Sequence, residues 1–232
     1  MAERSIGKLN KVVLSRKTGI LNNANNELPK CPEGLEHISR YWDKRNNKFA
    51  AKLLPGEYYV STENELITTV LGSCISACIR DVKFGIGGMN HFMLPLGCEV
   101  EHSGKTHLTG ATRYGNFAME MLINGIIKAG GSKKYMEVKL FGGGRVLSNM
   151  STLDIGNKNI NFVHEYLEEE GLDVVSEDTG DIYPRKIIYY PESGRVRMKK
   201  LHNLHNDTIR KREESYRKRI DQKPVESDIE LF

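Results

Sequence analysis

The sequence predicts an α/β fold, a compact sandwich in which a mixed β-sheet is flanked by helices. Two amphipathic segments indicate helices: residues 114–129, which end at Gly130-Gly131, and residues 160–170, which end at Gly171. Short β-branched and apolar runs lie before, between and after them. Because strands alternate with helices and include hairpin-like pairs, helices packed on a mixed sheet are the favoured arrangement.

The strands are expected in chain order after the turn at Pro55-Gly56. Residues 66–71 are apolar and β-branched, and this run ends at Gly72-Ser73. Residues 75–79 alternate apolar with small side chains; a helix beginning at Ser73 is the alternative, and we favour a strand. Further strands are predicted at residues 58–60, 90–94, 137–141, 172–176 and 186–190.

Three regions are expected: a polar N-terminal extension (residues 1–52), a domain (residues 53–200) and a basic C-terminal tail (residues 201–232). The extension is rich in asparagine and poor in apolar residues, which predicts loose order. Residues 195–223 carry a net charge of +7 although the whole chain carries only +4. Residues 207–222 predict a charged helix with few apolar side chains, which favours a solvated tail over a part of the core.

Composition predicts a cytoplasmic protein. The chain is 39% hydrophobic and 28% charged, as ordinary water-soluble proteins are. No run approaches the ~20 apolar residues of a membrane helix, and residues 1–17 contain no apolar signal core. The four cysteines are irregularly spaced and do not predict a disulfide framework.

Cys74 and His91 are the candidate catalytic pair. A thiol becomes a nucleophile when a nearby base takes its proton, and two neighbouring strands would bring these residues together. Taken singly, a free cysteine is more often a small buried hydrophobe, as expected for Cys78. The turn before the cysteine exposes the backbone N–H groups of Ser73 and Cys74, which are the expected oxyanion-hole donors.

Other chemistries are less well supported by the sequence. Cys74 and Cys78 with His91 form too sparse a zinc set, and residues four apart on a strand are separated by about 13 Å. The run Gly142-Gly143-Gly144 lacks the residues of a P-loop, so a tight turn that brings two backbone segments together is favoured over a phosphate site. The basic tail lacks interleaved aromatic residues, which disfavours nucleic-acid binding. We predict no metal and no cofactor.

Several motifs, in order, resemble the CheD family of chemoreceptor glutamine deamidases over about residues 53–199. They are, in chain order, Pro55-Gly56-Glu57-Tyr58-Tyr59-Val60, the run from Thr68 to Cys74, Gly88-Met89-Asn90-His91-Phe92-Met93-Leu94-Pro95, Arg113-Tyr114-Gly115, Lys139-Leu140-Phe141-Gly142-Gly143 and Asp178-Thr179-Gly180 followed by Arg185-Lys186. The cysteine turn and the histidine run, at this spacing, form a specific signature.

The resemblance implies hydrolysis of glutamine side chains on methyl-accepting chemotaxis receptors to glutamate and ammonia, through a cysteine thioester. The family's cysteine, histidine and threonine triad maps to Cys74, His91 and Thr68, the threonine orienting the imidazole. The implied fold is similar to that of glutamine-deamidating toxin domains. Some members also bind the phosphatase CheC, and no membrane insertion is implied. Asp181 and Pro184 replace the usual glycines, and Gly156-Asn157-Lys158-Asn159 replaces Gly-Glu-Arg-Asn.

Two alternatives remain open from the sequence. The first is that the chain is a non-catalytic module that binds CheC or receptor helices. The second is that it is a cysteine amidase with another protein target.

Overall fold

The computed structural model describes residues 27–95, 110–146, 154–202 and 207–222. Within these residues it contains ten strands and three α-helices. The strands are β1 (Ser39–Asp43), β2 (Lys48–Lys52), β3 (Glu57–Ser61), β4 (Leu66–Leu71), β5 (Ile75–Asp81), β6 (Gly87–His91), β7 (Met136–Gly142), β8 (Val174–Thr179), β9 (Arg185–Tyr190) and β10 (Arg195–Lys200). The helices are α1 (Gly110–Lys128), α2 (Ile155–Glu169) and α3 (Asp207–Gln222).

The α/β prediction is confirmed, but the described strands form two mixed sheets instead of one. Sheet A has the order β1-β2-β4-β9-β10, and sheet B has the order β3-β6-β5-β7-β8. Each sheet is antiparallel except for one parallel pair, β2 with β4 in sheet A and β7 with β8 in sheet B. The two sheets face each other, and α1 and α2 cover the other face of sheet B.

Strand alternation on β5 divides the core into two layers. Ile75, Ala77 and Ile79 pack against the helices, together with residues such as Leu122 of α1. Cys78 points the other way and packs between the sheets, where Ile67 of β4 also lies. Burying an isoleucine side chain such as that of Ile67 stabilises the fold by about 1.5–3 kcal/mol. The period-2 pattern of residues 75–79 therefore selects the strand over the alternative helix.

The N-terminal boundary of the domain lies earlier than the sequence predicts. Residues 39–52 were assigned to the extension, yet they form β1 and β2, which pair with each other and join β4. Within this pair, Ala50 and Ala51 are fully buried. Residues 1–26 of the predicted extension lie outside the described residues. The strand β10, at the opposite edge of sheet A, was also not predicted.

The C-terminal helix is not a solvated tail. Its bounds, Asp207–Gln222, are those that the sequence predicts, but Ile209, Tyr216 and Ile220 are all buried. Tyr216 and Ile220 join the apolar cluster between the sheets. A helix with three apolar residues on one face still buries them when the core offers a matching surface. The prediction of solvation is therefore wrong for this helix.

Among the described residues, no helix combines the length and the apolarity needed to cross a membrane.

Candidate active site

Cys74 lies in the turn between β4 and β5, at the end of the layer between the sheets. Its side chain is 0% exposed and its thiol is free. The next residue, Ile75, forms an antiparallel bridge with Phe92, with N-to-O distances of 2.9 and 3.0 Å. Phe92 follows His91 directly, so the bridge holds the cysteine turn beside the end of β6. The structure thus brings the predicted pair together on adjacent backbone segments.

His91 is held by Thr69. The imidazole is 1% exposed, and its Nδ1 lies 2.8 Å from the Thr69 hydroxyl. That hydroxyl also donates to the Leu53 carbonyl at 2.9 Å. A hydroxyl has one proton and a carbonyl can only accept, so Nδ1 must be the donor to Thr69. The proton therefore resides on Nδ1, which leaves Nε2 as the acceptor; Nε2 is buried and has no hydrogen-bond partner among the described residues.

Thr68 does not make the predicted contact with His91. Its hydroxyl donates to the Ile187 carbonyl at 2.8 Å, and its own carbonyl accepts from the Leu53 N–H at 2.9 Å. Successive side chains of a strand point to opposite faces, so only one of two adjacent threonines on β4 can reach the imidazole. In the structure the hydroxyl that contacts the imidazole is that of Thr69, one residue after the predicted Thr68.

Three backbone N–H groups of the cysteine turn converge on one carboxylate. Gly72 N and Ser73 N donate to the two oxygens of Glu213 at 2.9 and 3.0 Å, and Cys74 N lies 3.4 Å from one of them. The Ser73 hydroxyl adds a bond of 2.6 Å. Ser73 and Cys74 are the residues predicted to donate to an oxyanion. In the structure these N–H groups bind the carboxylate of Glu213, a residue of α3.

The cysteine turn is supported from α2 by Asn159. This fully buried side chain donates to the Ser73 carbonyl at 2.8 Å and accepts from the Leu94 N–H at 2.8 Å. It therefore ties the turn before Cys74 to the segment that follows His91. A second buried amide, Asn90, accepts from Ala77 N at 2.8 Å and so fixes β5 to β6. Both amides satisfy backbone groups that would otherwise be buried without partners.

The glycine run 142–144 supports the same turn from the other side. Gly143 N donates to the Cys74 carbonyl and Gly144 N to the Gly72 carbonyl, both at 2.8 Å. Gly142 has a φ of 115° and lies against the Cys74 backbone, where a Cβ would collide with the Cys74 carbonyl oxygen. The alternative favoured from the sequence, a tight turn for close backbone approach, is what these contacts describe.

Arg185 holds the segment next to the glycine run in place. Its guanidinium is buried and donates to Asp178 Oδ1 at 2.5 Å and to the Gly180 carbonyl at 2.6 Å. The neighbouring Asp181, where the family has glycine, has a φ of 67°, a conformation that aspartate tolerates better than most residues. An aspartate at this position is therefore compatible with the left-handed backbone conformation that the segment adopts.

Burial keeps both candidate residues neutral in this state. Burial, then the charge and hydrogen bond of Glu213, raise the pKa of the Cys74 thiol well above its ordinary value. Burial, then the positive charge of Arg212, lower the pKa of His91 to about 3. The thiol and the imidazole are therefore both neutral near pH 7, and Glu213 contributes to this for the thiol.

The candidate site is neither a cluster of metal ligands nor part of the surface cavity found in the described residues. No group of three or more His, Cys, Asp and Glu side chains is placed to hold a metal ion there. A surface cavity of about 880 Å³ lies elsewhere, between residues 30–36 and α1, and includes neither Cys74 nor His91. The candidate site is instead covered by α3.

Three functional candidates were missed from the sequence: Thr69, Asn159 and Glu213. Thr69 adjoins the residue that was chosen, and a motif alone does not reveal which threonine faces inward. Glu213 lies on one helical face with Ile209, Tyr216 and Ile220, a spacing of four, three and four residues. That stripe was the available signal that α3 packs on the domain.

Comparison with known proteins identifies similar chains. The family model for CheD chemotactic sensory transduction matches residues 93–200. A probable chemoreceptor glutamine deamidase CheD of Halorhodospira halophila is 52% identical over 92% of this chain and 99% of its own length. Proteins with the same description from Hydrogenovibrio crunogenus and Hahella chejuensis are 54% and 50% identical, over 78% and 85% of this chain and 93% and 92% of their own lengths.

Proposed function

Because the chain belongs to the CheD family, we propose that it is a chemoreceptor glutamine deamidase, an amidohydrolase that converts receptor glutamine side chains to glutamate and releases ammonia. We further propose that Cys74 is its nucleophile, His91 its general base and acid, and Thr69 the residue that orients His91. Receptors are the substrate partner, and the reduced state of Cys31, Cys74 and Cys78 suits a cytoplasmic enzyme.

One observation carries the catalytic part of this proposal: the N–H groups beside Cys74 already bind a carboxylate. Gly72 N and Ser73 N reach the Glu213 oxygens at 2.9 and 3.0 Å. Hydrolysis of an amide passes through a tetrahedral intermediate whose oxygen is negative. Donors that hold a carboxylate next to a thiol are suited to that oxygen, and losing one such donor reduces kcat by roughly a hundredfold to a thousandfold.

His91 is in the tautomer that the reaction needs. Thr69 takes the Nδ1–H bond, so Nε2 has a free lone pair to accept the thiol proton. The Cys74 sulfur then adds to the amide carbon, and the carbonyl oxygen becomes the oxyanion. The imidazolium returns its proton to the amide nitrogen, the C–N bond breaks, and ammonia leaves behind a thioester.

Water completes the reaction. His91 removes a proton from a water molecule as the water oxygen adds to the thioester carbon. The C–S bond breaks, the sulfur regains a proton from the imidazolium, and the glutamate carboxylic acid leaves and ionises. The net change is one glutamine side chain and one water converted to glutamate and ammonia.

The test compares Cys74 with Cys78, a second cysteine four residues later. Wild-type, Cys74→Ala and Cys78→Ala proteins are incubated with a receptor cytoplasmic fragment, and ammonia release and the mass of the receptor peptides are followed. We expect Cys74→Ala to lose at least roughly a thousandfold in rate, because the covalent route is gone. Cys78, which is buried between the sheets and takes no part in the reaction, should be dispensable apart from a loss of stability.

A non-catalytic binding module is the alternative, and the coverage of the site by α3 is the observation that favours it. Receptor glutamines that stay unmodified with wild-type protein, together with tight receptor binding, would support that alternative.

Binding of a CheC-type phosphatase is a further proposal that follows from family resemblance. Co-purification of the two proteins, with competition by receptor fragment, tests it.

A further inference from the structure

We propose that α3 sits in the docking groove of the substrate, with Glu213 acting as an intramolecular analogue of the glutamate product. This inference rests on the proposed function, because it takes the cysteine turn to be the reacting centre. If it is correct, α3 is a regulatory element that must leave before a receptor enters. The packing of α3 then also predicts the shape of the receptor segment that the groove accepts.

The first support is chemical identity. A deamidase releases a glutamate side chain, and Glu213 is such a side chain, placed at the candidate nucleophile. Its carboxylate is 2% exposed and accepts three bonds of 2.6 to 3.0 Å from Gly72 and Ser73. These donors belong to a turn some 140 residues earlier in the chain, so the contact is not a local helix cap.

The second support is the close fit of α3 around that carboxylate. A Cβ on Gly72 would lie 2.6 Å from Glu213 Oε1, and a Cβ on Gly56 would lie 2.7 Å from the Tyr216 hydroxyl. Tyr216, one turn after Glu213, is 5% exposed and hydrogen-bonds through its hydroxyl to the hydroxyl of Tyr114 on α1. Glycines thus leave room for α3 at two separate points of the surface on which it packs.

The third support is the amphipathic pattern of the helix. The buried stripe of α3 consists of Ile209, Glu213, Tyr216, Arg217 and Ile220, while the other described side chains are exposed or half-buried. An acidic residue in the centre of a buried stripe is costly unless its partners are built for it. Here the partners are the N–H groups that the proposed reaction requires.

The groove therefore predicts the class of substrate segment that it accepts. That segment is a helix whose target glutamine lies in an apolar stripe, with an aliphatic residue four positions before, an aromatic or other large apolar residue three positions after, and an aliphatic residue seven positions after. A side-chain amide differs from the Glu213 carboxylate by one terminal group: its oxygen can accept from the Gly72 N–H as Oε1 does, and its NH2 group can donate to the Ser73 hydroxyl, which then acts as an acceptor.

The decisive experiment turns the product analogue into a substrate. The full-length Glu213→Gln protein is incubated and digested with Lys-C, which cleaves after Lys211 and Lys218 and keeps position 213 inside a peptide. We expect the introduced amide to be hydrolysed to the carboxylate, measured as a mass gain. The matched control is Glu214→Gln, because Glu214 is only half-buried and pairs with Arg210 on the outer side of the helix. Glu213→Gln combined with Cys74→Ala is the chemical control, and both controls should retain their amides.

A second measurement does not depend on any deamidase activity. The rate at which iodoacetamide alkylates Cys74 is read by peptide mass spectrometry in wild-type, Glu213→Ala and Glu214→Ala proteins, with buried Cys78 as an internal standard for unfolding. We expect the Glu213→Ala protein to be alkylated at least roughly tenfold faster than wild type, and at Cys74 only. The substitution removes the hydrogen bonds that hold α3 on the cysteine turn and the negative charge beside the thiol. Glu214→Ala should match wild type.

The outcomes separate this inference from the proposed function. Equal alkylation rates in all three proteins, together with a stable amide in Glu213→Gln, overturn the inference even if receptors are deamidated. Faster alkylation without hydrolysis of that amide overturns the product-analogue assignment. Faster alkylation and hydrolysis of the introduced amide, with no receptor glutamine modified by any variant, support the inference while removing receptors as the substrate.

Discussion

The Thr69 hydroxyl lies 2.8 Å from His91 Nδ1 while it donates its only proton to the Leu53 carbonyl. This one relationship fixes the tautomer of the imidazole, because Nδ1 must then carry the proton. In the proposed mechanism the threonine takes the orienting role that a carboxylate has in many catalytic triads, without adding a charge of its own to a buried site.

The two adjacent threonines give a matched pair of substitutions. Thr69→Val should lower kcat by roughly tenfold or more, because the imidazole loses its orientation and its fixed tautomer. Thr68→Val removes a hydrogen bond to Ile187 instead, so it should retain kcat. Thr69→Val should lose about 1–3 kcal/mol of unfolding free energy, because it leaves the buried Leu53 carbonyl without this donor, and Thr68→Val should lose about 0.5–1.5 kcal/mol, the net contribution of one hydrogen bond. Steady-state kinetics and urea unfolding measure the two effects; equal kcat values would contradict the assignment of Thr69.

The buried imidazole should make stability depend on pH. The pKa of His91 is lowered to about 3 by burial and by Arg212, whereas an unfolded histidine titrates near 6.5. Between these values the unfolded chain binds the extra proton, so His91 lowers the stability of the fold as the pH falls from about 6.5 toward 3. The slope should be roughly 1.4 kcal/mol per pH unit.

His91→Asn isolates this contribution, because the amide keeps a donor near Thr69 but does not titrate. Unfolding free energies of both proteins are measured at intervals between pH 7 and 4. We expect the wild type to lose stability faster than the variant as the pH falls below about 6.5, with little difference in slope near pH 7. Parallel curves would show that the imidazole is accessible to protons in the folded state.

Asn159 should be required for a well-formed cysteine turn. Asn159→Ala leaves the Ser73 carbonyl and the Leu94 N–H without partners, which should reduce the unfolding free energy by about 2–4 kcal/mol. Turnover should fall as well, because the turn carries the oxyanion donors. The control is Asn157→Ala on the same helix, where the side chain is exposed and donates to Asp154 Oδ2 at 2.5 Å. An Asn159 variant as stable and active as the control would refute this role.

The close approach at Gly142 can be tested against another glycine with positive φ. Gly142→Ala forces a Cβ into the Cys74 backbone, whereas Gly171→Ala, at a φ of 64°, meets no atom within 4 Å. Gly171→Ala should lose only the conformational term of about 1–2 kcal/mol. Gly142→Ala should lose more and should also slow turnover, since the turn supports the nucleophile. Thermal unfolding and ammonia release compare the two, and equal effects would mean that the backbone contact is not required.

The most accurate sequence predictions concern elements defined by local pattern. The bounds of β4 and α3 are those predicted, and α1 and α2 lie where apolar spacing and terminal glycines indicate them. These signals are local because a helix or strand repeats its own geometry over a few residues. The missed strands β1 and β10 are polar or strongly charged, as edge strands of a sheet often are, and β2 offers only three apolar residues between two lysines, so all three lack a sustained apolar signal.

The sequence by itself determined the family of this protein and its candidate catalytic groups: a cysteine in a small-residue turn, a histidine 17 residues later and motifs that identify the family. Only the tertiary structure decided which threonine holds the imidazole, because that depends on the face of β4 that turns inward. It alone placed Glu213 on the cysteine turn, since a contact across some 140 residues is set by how sheets and helices pack. Local pattern specifies which groups are present, and packing specifies which of them meet.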